Sequence, residues 1–292
     1  MLTVTANSKI NLTLDVLGKR DDNYHDVEMI MQSINLSDKL VIEKSDICDI
    51  IIDCSIPGVK SKQDNLIYKA AKLFLEKYKI TSGVKFTLEK NIPVAAGLAG
   101  GSADAAAALY GLNKLFGLKK SRIELCSIAA SLGSDIPFCL IGGTMLAQGR
   151  GEKITSMPSW GNGAFVIVKP PVSVSTAWVY GQYKETKIKD HPHASVMIEA
   201  LKAKNLDDIC KSLGNVLESV TITKFPQLAE YKSKLCRYGA KAALMSGSGP
   251  SIFAICENIA KAEKIAEKMN HEYCDMDIYV ASAVSVGCSA DK

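Results

Sequence analysis

Between Ala95 and Gly111 the chain places four glycines and eight alanines, inside the stretch EKNIPVAAGLAGGSADAAAALYGLNKLFGL at 89–118. Few local structures accept such a run. Alanine is the strongest intrinsic helix former, and glycine suits turns and close backbone approach. The order of lead, glycines and alanines predicts a strand ended by Pro93, a loop holding Gly97, Gly100 and Gly101, and a helix from about Ala103 to Phe116 capped by Ser102. Small side chains let that helix lie close to a sheet. Its first turn has unpaired N–H groups and the positive end of the macrodipole. With no Cβ in the way, an anion can approach that backbone. The reading is an anion cradle. Tight helix–sheet packing without a ligand is the alternative the same residues allow. A side chain added at Gly100 is expected to enter the anion site. Asp104 falls in the expected first turn, where the dipole favours a carboxylate by about 0.3–1 kcal/mol; it is given no catalytic role.

The spacing excludes three other glycine motifs. There is no G-x-x-x-x-G-K-[ST], so the loop is not a Walker-type phosphate loop. No G-x-G-x-x-G opens a βαβ unit, and no G-x-S-x-G offers a hydrolase serine.

The 292 residues suffice for one large domain or two ordinary ones. A net charge of +4 is too slight and too evenly spread to argue for nucleic acid. KKSR at 119–122 reads as a solvated helix junction. Nine cysteines, without C-x-x-C spacing, read as small buried hydrophobes in a reducing compartment. The longest apolar run, IPFCLIGGTMLA, is 12 residues, too short to span a bilayer, and the N-terminus has no signal-peptide pattern. A cytoplasmic protein with no membrane association is expected.

SKINLTLDVLGKR alternates: Ile10, Leu12, Leu14 and Val16 face one way, Lys9, Asn11, Thr13 and Asp15 the other. That predicts a strand with one buried face. DKLVIEKS, CDIIIDCS and GVKFTLEKN read as further strands, and DNLIYKAAKLFLEKYK as an amphipathic helix. Ser121 and Glu124 have capping-box spacing, Gly133 follows that helix, and Pro137 is expected to stop any continuation, leaving Asp135 in a loop. Glycine, proline and serine cluster at 147–163, a plausible boundary. Beyond it GAFVIVKPP reads as a strand and 175–238 as mostly helical. AALM, the loop SGSGPS, IFAIC, a helix and a last strand near DIYVASAVSV follow. The fold class is α+β, with helices on one face of an antiparallel sheet in the second part.

Three segments carry a resemblance. PVAAGLAGGSADAAA at 93–107 resembles a P-x-x-x-G-L-[GA]-G-G-S loop, LMSGSGPSIFAI at 244–255 a C-terminal glycine motif, and SKINLTLDVLGKRDDNYHDVEMIMQSINLSD at 8–38 an N-terminal motif. Together they resemble the GHMP kinases, the superfamily of galactokinase, homoserine, mevalonate and phosphomevalonate kinases. K-I-N-L-x-L-x-V-x-G-K-R-x-D-x-Y-H and G-S-D-I-P-F narrow this to the kinases that phosphorylate 4-diphosphocytidyl-2-C-methyl-D-erythritol in non-mevalonate isoprenoid synthesis. The resemblance spans nearly the whole chain, with 185–225 least marked. It departs at Ala99, where a glycine is common, and at Ala103, where a serine is common; the second removes a hydroxyl contact to phosphate or metal. Metal ligands are left unassigned.

The resemblance implies a two-domain GHMP-kinase fold. Residues 1–155 would form a ribosomal-protein-like domain for ATP binding and catalysis, and 156–292 a ferredoxin-like sandwich for the substrate. It implies ATP and Mg²⁺ as cofactors and a cytidine-diphosphate-linked methylerythritol as small-molecule partner. ATP would lie on Pro93, Val94, Ala95, Ala96, Gly97, Leu98, Ala99, Gly100, Gly101, Ser102 and Ala103. Asp135 would be the base. A helix C-terminus before it and apolar IPF after it are expected to strengthen its basicity, while a helix-stop aspartate is the plainer reading. Lys9 would be its partner, against a solvated strand-edge lysine; Asn11, on the same face, would hydrogen-bond substrate or hold the pair in place, against a capped strand end. Tyr24 would stack on the cytosine and His25 read its edge, with Tyr180 on the other face; Trp178 is expected to fill core. In SGSGPS, Ser246, Gly247, Ser248 and Gly249 can line the cleft or simply turn a hairpin. His191 and His193 read as exposed loop residues rather than a metal pair. Two rivals stay open: another GHMP kinase, of homoserine or mevalonate type, and a nucleotide-binding regulator without catalysis. An RNA-binding module, suggested by shared architecture alone, is disfavoured by the modest charge.

Overall fold

In the computed structural model, which describes residues 1–56, 64–185, 188 and 190–290, the fold is built outward from one antiparallel strand pair. β1 (Leu2–Lys19) and β2 (His25–Ser45) run side by side from Leu2↔Ile42 to Lys19↔His25. There follow β3 (Ile50–Cys54), α1 (Leu66–Lys77), β4 (Gly83–Glu89), α2 (Gly100–Leu115), α3 (Arg122–Leu132), α4 (Ile136–Ile141), β5 (Thr144–Gly149) and β6 (Lys153–Ser156). The second part begins with β7 (Ala164–Lys169), α5 (Thr176–Gln182), α6 (Ala194–Ala203), α7 (Leu206–Lys211), β8 (Gly214–Asn215), α8 (Glu218–Lys224) and α9 (Gln227–Arg237). It closes with β9 (Ala242–Met245), β10 (Ile252–Cys256), α10 (Ile259–Glu272), β11 (Asp277–Ser282) and β12 (Cys288–Ala290).

The first sheet runs β12-β1-β2-β4-β3, with β5 and β6 continuing from β2 and β8 joining β1. The second is antiparallel, in the order β11-β7-β10-β9. This is the two-domain α+β arrangement expected. α2 lies across β1 and β2. Gly111 is where it comes nearest: a Cβ there would stand 2.1 Å from Ile42 Cδ1 and 3.1 Å from Val4 Cγ2. Alanines 103 and 105–108, spread round the helix, are fully buried, and α2 also packs against α1, α3 and α4.

Several elements differ from the sequence reading. β1 has no solvated face: Lys9, Asn11, Thr13 and Asp15 are all buried along with Ile10, Leu12, Leu14 and Val16. The second part of the chain covers the polar side, and local alternation cannot register that. Register shifts at Asn7/Ser8 and Asn11/Thr13 flank Lys9 and Asn11 and re-aim them. Residues 144–156, partly inside the proposed boundary cluster, form the β5–β6 hairpin of the first sheet. The strand near DIYVASAVSV is not the last, since β12 returns to pair with β1. A 155/156 division puts nearly all of β6 in the first part, while β8 and β12 cross back from the second. Pro137 starts α4 rather than blocking a helix, because its missing N–H is not needed in a first turn. All nine cysteines are free, but Cys48, Cys236 and Cys274 are exposed. No helix among the described residues is long and apolar enough to cross a membrane.

Candidate active site

α2 begins at Gly100, three residues earlier than its composition suggested. Its N-cap is Ala99, in the left-handed conformation (φ 58°), and no side chain caps it. Ser102 therefore lies inside the first turn and is not the cap. The loop before it turns through left-handed Ala95 and Gly97 as well. Gly97 is required: an added Cβ would lie 2.2 Å from Ser246 O. An added Cβ at Gly100 would meet Lys90 Nζ at 2.8 Å and Ile92 Cγ2 at 3.0 Å, on a stretch of the cleft wall that Lys90 shares. At Gly101 a Cβ meets only Leu66 Cδ1, at 3.6 Å, on the cleft wall.

A cleft of 1460 Å³ runs past this turn. Of the residues singled out, it brings together Lys9, Asn11, Tyr24, His25, Pro93, Val94, Ala95, Ala96, Gly97, Ala99, Gly100, Gly101, Ser102, Asp135, Tyr180, Gly247 and Ser248. Leu98, Ala103, Ser246 and Gly249 lie buried behind its wall. Lys9 is at the centre. Its Nζ donates to Asn11 Oδ1 at 2.6 Å and to Gly97 O at 3.1 Å, and stands 3.9 Å from Asp135 Oδ2. The Lys9 side chain is 5% exposed and that of Asp135 32%, so the carboxylate opens to the cleft and the ammonium braces it from behind. Asp135 follows the α3 C-cap Gly133 and is the N-cap of α4, its carbonyl accepting from Cys139 N while its side chain makes no capping bond. It thus sits between helix ends of opposite sign, not beside one.

The two glycine loops touch. Ser246 Oγ donates to Gly97 O at 2.9 Å, and Ser251 N to Ala96 O at 3.3 Å. Asn215 holds the second loop from below, donating through Nδ2 to Met245 O and Gly247 O, both at 2.8 Å. Thr176 and Ser248 share a hydroxyl contact at 2.8 Å.

At the far end, Tyr24 is half exposed, with the Arg150 guanidinium 5.0 Å from its ring centre. His25 and Tyr180 pack ring to ring at 5.2 Å. Burial, then Lys19, pushes the His25 imidazole below its usual range, favouring the neutral ring. Burial, then Asp135, raises the Tyr180 phenol, which keeps its proton. Trp178 does not fill core: it is 37% exposed on α5. His191 is not a free loop residue, since its Nδ1 lies 2.7 Å from Asp15 Oδ1. No cluster of three or more His, Cys, Asp or Glu suited to a metal occurs among the described residues.

Sequence reasoning missed a buried charge cluster beside the glycine loop, two of whose members, Lys90 and Asp104, also line the cleft. Lys90 Nζ donates to Asp38 Oδ2, and to Asp104 Oδ2 at 2.9 Å. Asp38 Oδ1 accepts from Asn91 N at 2.6 Å and Ile92 N at 2.8 Å. Asp104 is past the first turn of α2, so the dipole does not account for it. Burial first, with Asp38 adding, pushes its carboxyl up to about 8 against the pull of Lys90. Burial on its own lowers the Lys90 ammonium, but Asp104 and Asp38 outweigh it and the net shift is upward. EKNIP gave no sign of this, because Lys90 meets Asp38 only through the β2–β4 pairing.

Comparisons with known proteins show the family. Residues 65–143 match the GHMP kinases N terminal domain and 197–275 the GHMP kinases C terminal domain. The chain is 50% identical to a 4-diphosphocytidyl-2-C-methyl-D-erythritol kinase of Acetivibrio thermocellus, over 89% of this chain and 92% of that one. It is 45% identical to one from Listeria monocytogenes, over 98% and 97%. A crystal structure of a 4-(cytidine 5'-diphospho)-2C-methyl-D-erythritol kinase superposes with TM-score 0.80 at 30% identity, covering 96% of this chain and 98% of that one. A homoserine kinase from Cytophaga hutchinsonii shares the fold, with TM-score 0.81 at 21% identity over 99% and 97%.

Proposed function

The chain belongs to the GHMP kinases, and we propose that it transfers the γ-phosphoryl group of ATP to the 2-hydroxyl of 4-diphosphocytidyl-2-C-methyl-D-erythritol. One observation supports this most: the uncapped first turn of α2 and the Lys9–Asp135 pair open onto the same cleft. Phosphoryl transfer needs a held triphosphate, a positioned hydroxyl and a group to receive its proton.

The residues suit the two cofactors. Side chains are absent where the phosphates would lie, and backbone N–H groups of the first turn are left for them. The cleft lining offers Mg²⁺ the oxygens of Asp64, Ser102, Asp104 and Asp135 but no clustered set of ligands among the described residues, which fits an ion held mainly by phosphate and water. When bound, that ion would supply positive charge to the phosphates. Asp135 then accepts the proton of the acceptor hydroxyl as the oxygen attacks phosphorus. Lys9 keeps Asp135 aimed and stabilises the negative charge at the reacting oxygens. Asn11 fixes Lys9 through the 2.6 Å bond. Tyr24, His25 and Tyr180 supply an aromatic end for the cytosine, where stacking is worth about 1–3 kcal/mol per base.

An acceptor panel with ATP and Mg²⁺ tests the reading. Turnover is expected with the cytidine-linked substrate and not with homoserine, mevalonate or the same erythritol phosphate lacking cytidine. Equal turnover of the cytidine-free diol ends the narrower assignment.

A further inference from the structure

Lys90, Asp38 and Asp104 form a charged group with side-chain exposures of 5%, 0% and 6%. A buried ionic trio is weak evidence for stability, because apolar side chains of equal volume hold elements together as well. Its contribution is direction: an ammonium fixes its partners along set N–H vectors. The partners here are distinctive. Asp38 grips the backbone N–H groups of Asn91 and Ile92, the last residues before the glycine loop. Asp104 belongs to the helix that the loop enters. The ammonium itself lies under Gly100, with no room there for a Cβ.

The loop between these anchors needs outside support. Ala95 and Ala99 both take left-handed conformations, which L-residues adopt only when their surroundings over-determine them. A side chain does not cap the helix that follows. Asp104 Oδ1 is buried with no hydrogen-bond partner.

We propose that Lys90, clasped between Asp38 and Asp104 beneath Gly100, is a positioning residue that fixes the spacing of residues 90–92 and the first turn of α2, and so aims the backbone N–H groups that hold the nucleotide phosphates. The proposal rests on the cradle reading given above. It predicts a nucleotide-specific defect rather than a general one, since Lys90 sits against Gly100 and Asp104 belongs to the helix the loop enters, both on the cleft wall beside the first turn of α2.

The test compares steady-state constants for ATP and for the cytidine-linked acceptor in the full chain. Lys90→Met/Asp104→Leu removes the clasp and leaves no unpaired charge apart from Asp38, which keeps its two backbone partners. KM for ATP is expected to rise about tenfold or more, with the acceptor KM within about threefold, since small displacements of positioning groups have large kinetic effects. Asp104→Asn keeps a carbonyl acceptor for Lys90 and is expected to stay within about threefold of wild type on ATP. Should the double variant fail to fold, Asp104→Ala, which spares the Lys90–Asp38 pair, must show the same ATP-selective rise. An unchanged ATP KM, or equal rises in both constants, overturns the proposal. Gly101→Val separates the two readings. If it leaves the ATP KM unchanged, the cradle itself is wrong; if it raises that KM while the clasp variants do not, the clasp alone is wrong.

Discussion

Asp135 is the residue whose removal should be the most selective. It faces the cleft, its side chain makes no capping bond to its own helix, and it meets Lys9 at 3.9 Å. Asp135→Asn keeps the shape and removes the proton acceptor. Turnover is expected to fall by about 10²–10⁴-fold, the usual contribution of a general base, with ATP affinity unchanged. Titration calorimetry with a non-hydrolysable ATP analogue, run beside the kinetics, checks both halves; undiminished turnover removes Asp135 from the mechanism. Asp104 makes a different residue-scale prediction. Its carboxyl titrates at about 8 in the fold against 3.8 as a model group, so the native state holds a proton the unfolded chain releases. Its stabilising contribution is complete below 3.8 and disappears as pH rises through about 8. Between those limits this one proton sets a slope of up to about 1.4 kcal/mol per pH unit. Lys90, Asp38 and the buried Cys139 thiol are the charged or titratable groups facing it. Asp104→Asn removes that slope, so urea unfolding at pH 5, 6.5 and 8 should show the variant gaining on wild type as pH rises. Parallel stability curves count against the shift.

α2 shows at the scale of an element what composition can and cannot tell. Gly111 is a poor helix residue, worth about 1 kcal/mol less than alanine in an open helix. It is kept here by the approach of Ile42 and Val4. Gly111→Val is expected to lower unfolding free energy by about 1–3 kcal/mol, as overpacking does. Because the contact lies on the sheet side, away from the cleft, kcat should stay near wild type at temperatures where the variant is folded. A thermal melt with an assay at low temperature decides it. The glycine–alanine grammar was legible because it is local: loop, helix and close packing are all written in adjacent residues. The capping box of Ser121 and Glu124 was legible for the same reason and forms in both directions. The start of α2 was not, because left-handed Ala99 begins it without a side-chain cap. Alternation in β1 gave the strand but not the burial of Lys9 and Asn11, which depends on residues from the other half of the chain. The clasp on Lys90 and the Arg150–Tyr24 contact were equally invisible, since each joins segments far apart in sequence.

Across the whole molecule, the cleft is an assembly of both sheets. The first glycine loop hangs from the second: Gly97 O takes bonds from Ser246 Oγ and Lys9 Nζ together. The second is in turn suspended from Asn215 of β8, whose Gly214 and Asn215 pair in parallel with Thr13 and Leu14 of β1. Asn215 is therefore a joint between the long central strand and the loop that touches the proposed nucleotide site. Its amide is fully used, with Nδ2 on two carbonyls and Oδ1 accepting from Leu217 N at 3.0 Å. Asn215→Ala leaves those three buried backbone groups without partners. A loss of about 1–3 kcal/mol in stability is expected from this alone. Kinetically the change should be unlike that of the clasp variants. Gly247 lies beside Lys9 and Asn11 as well as Gly97, so loosening it disturbs the reacting end and the phosphate end together. A fall in kcat of about tenfold with KM for ATP and acceptor both raised is the expected pattern. Steady-state kinetics on the variant, with a urea titration to correct for the unfolded fraction, distinguishes this from mere destabilisation. If the folded fraction alone accounts for the lost activity, β8 holds up the structure and has no part in aligning the two loops.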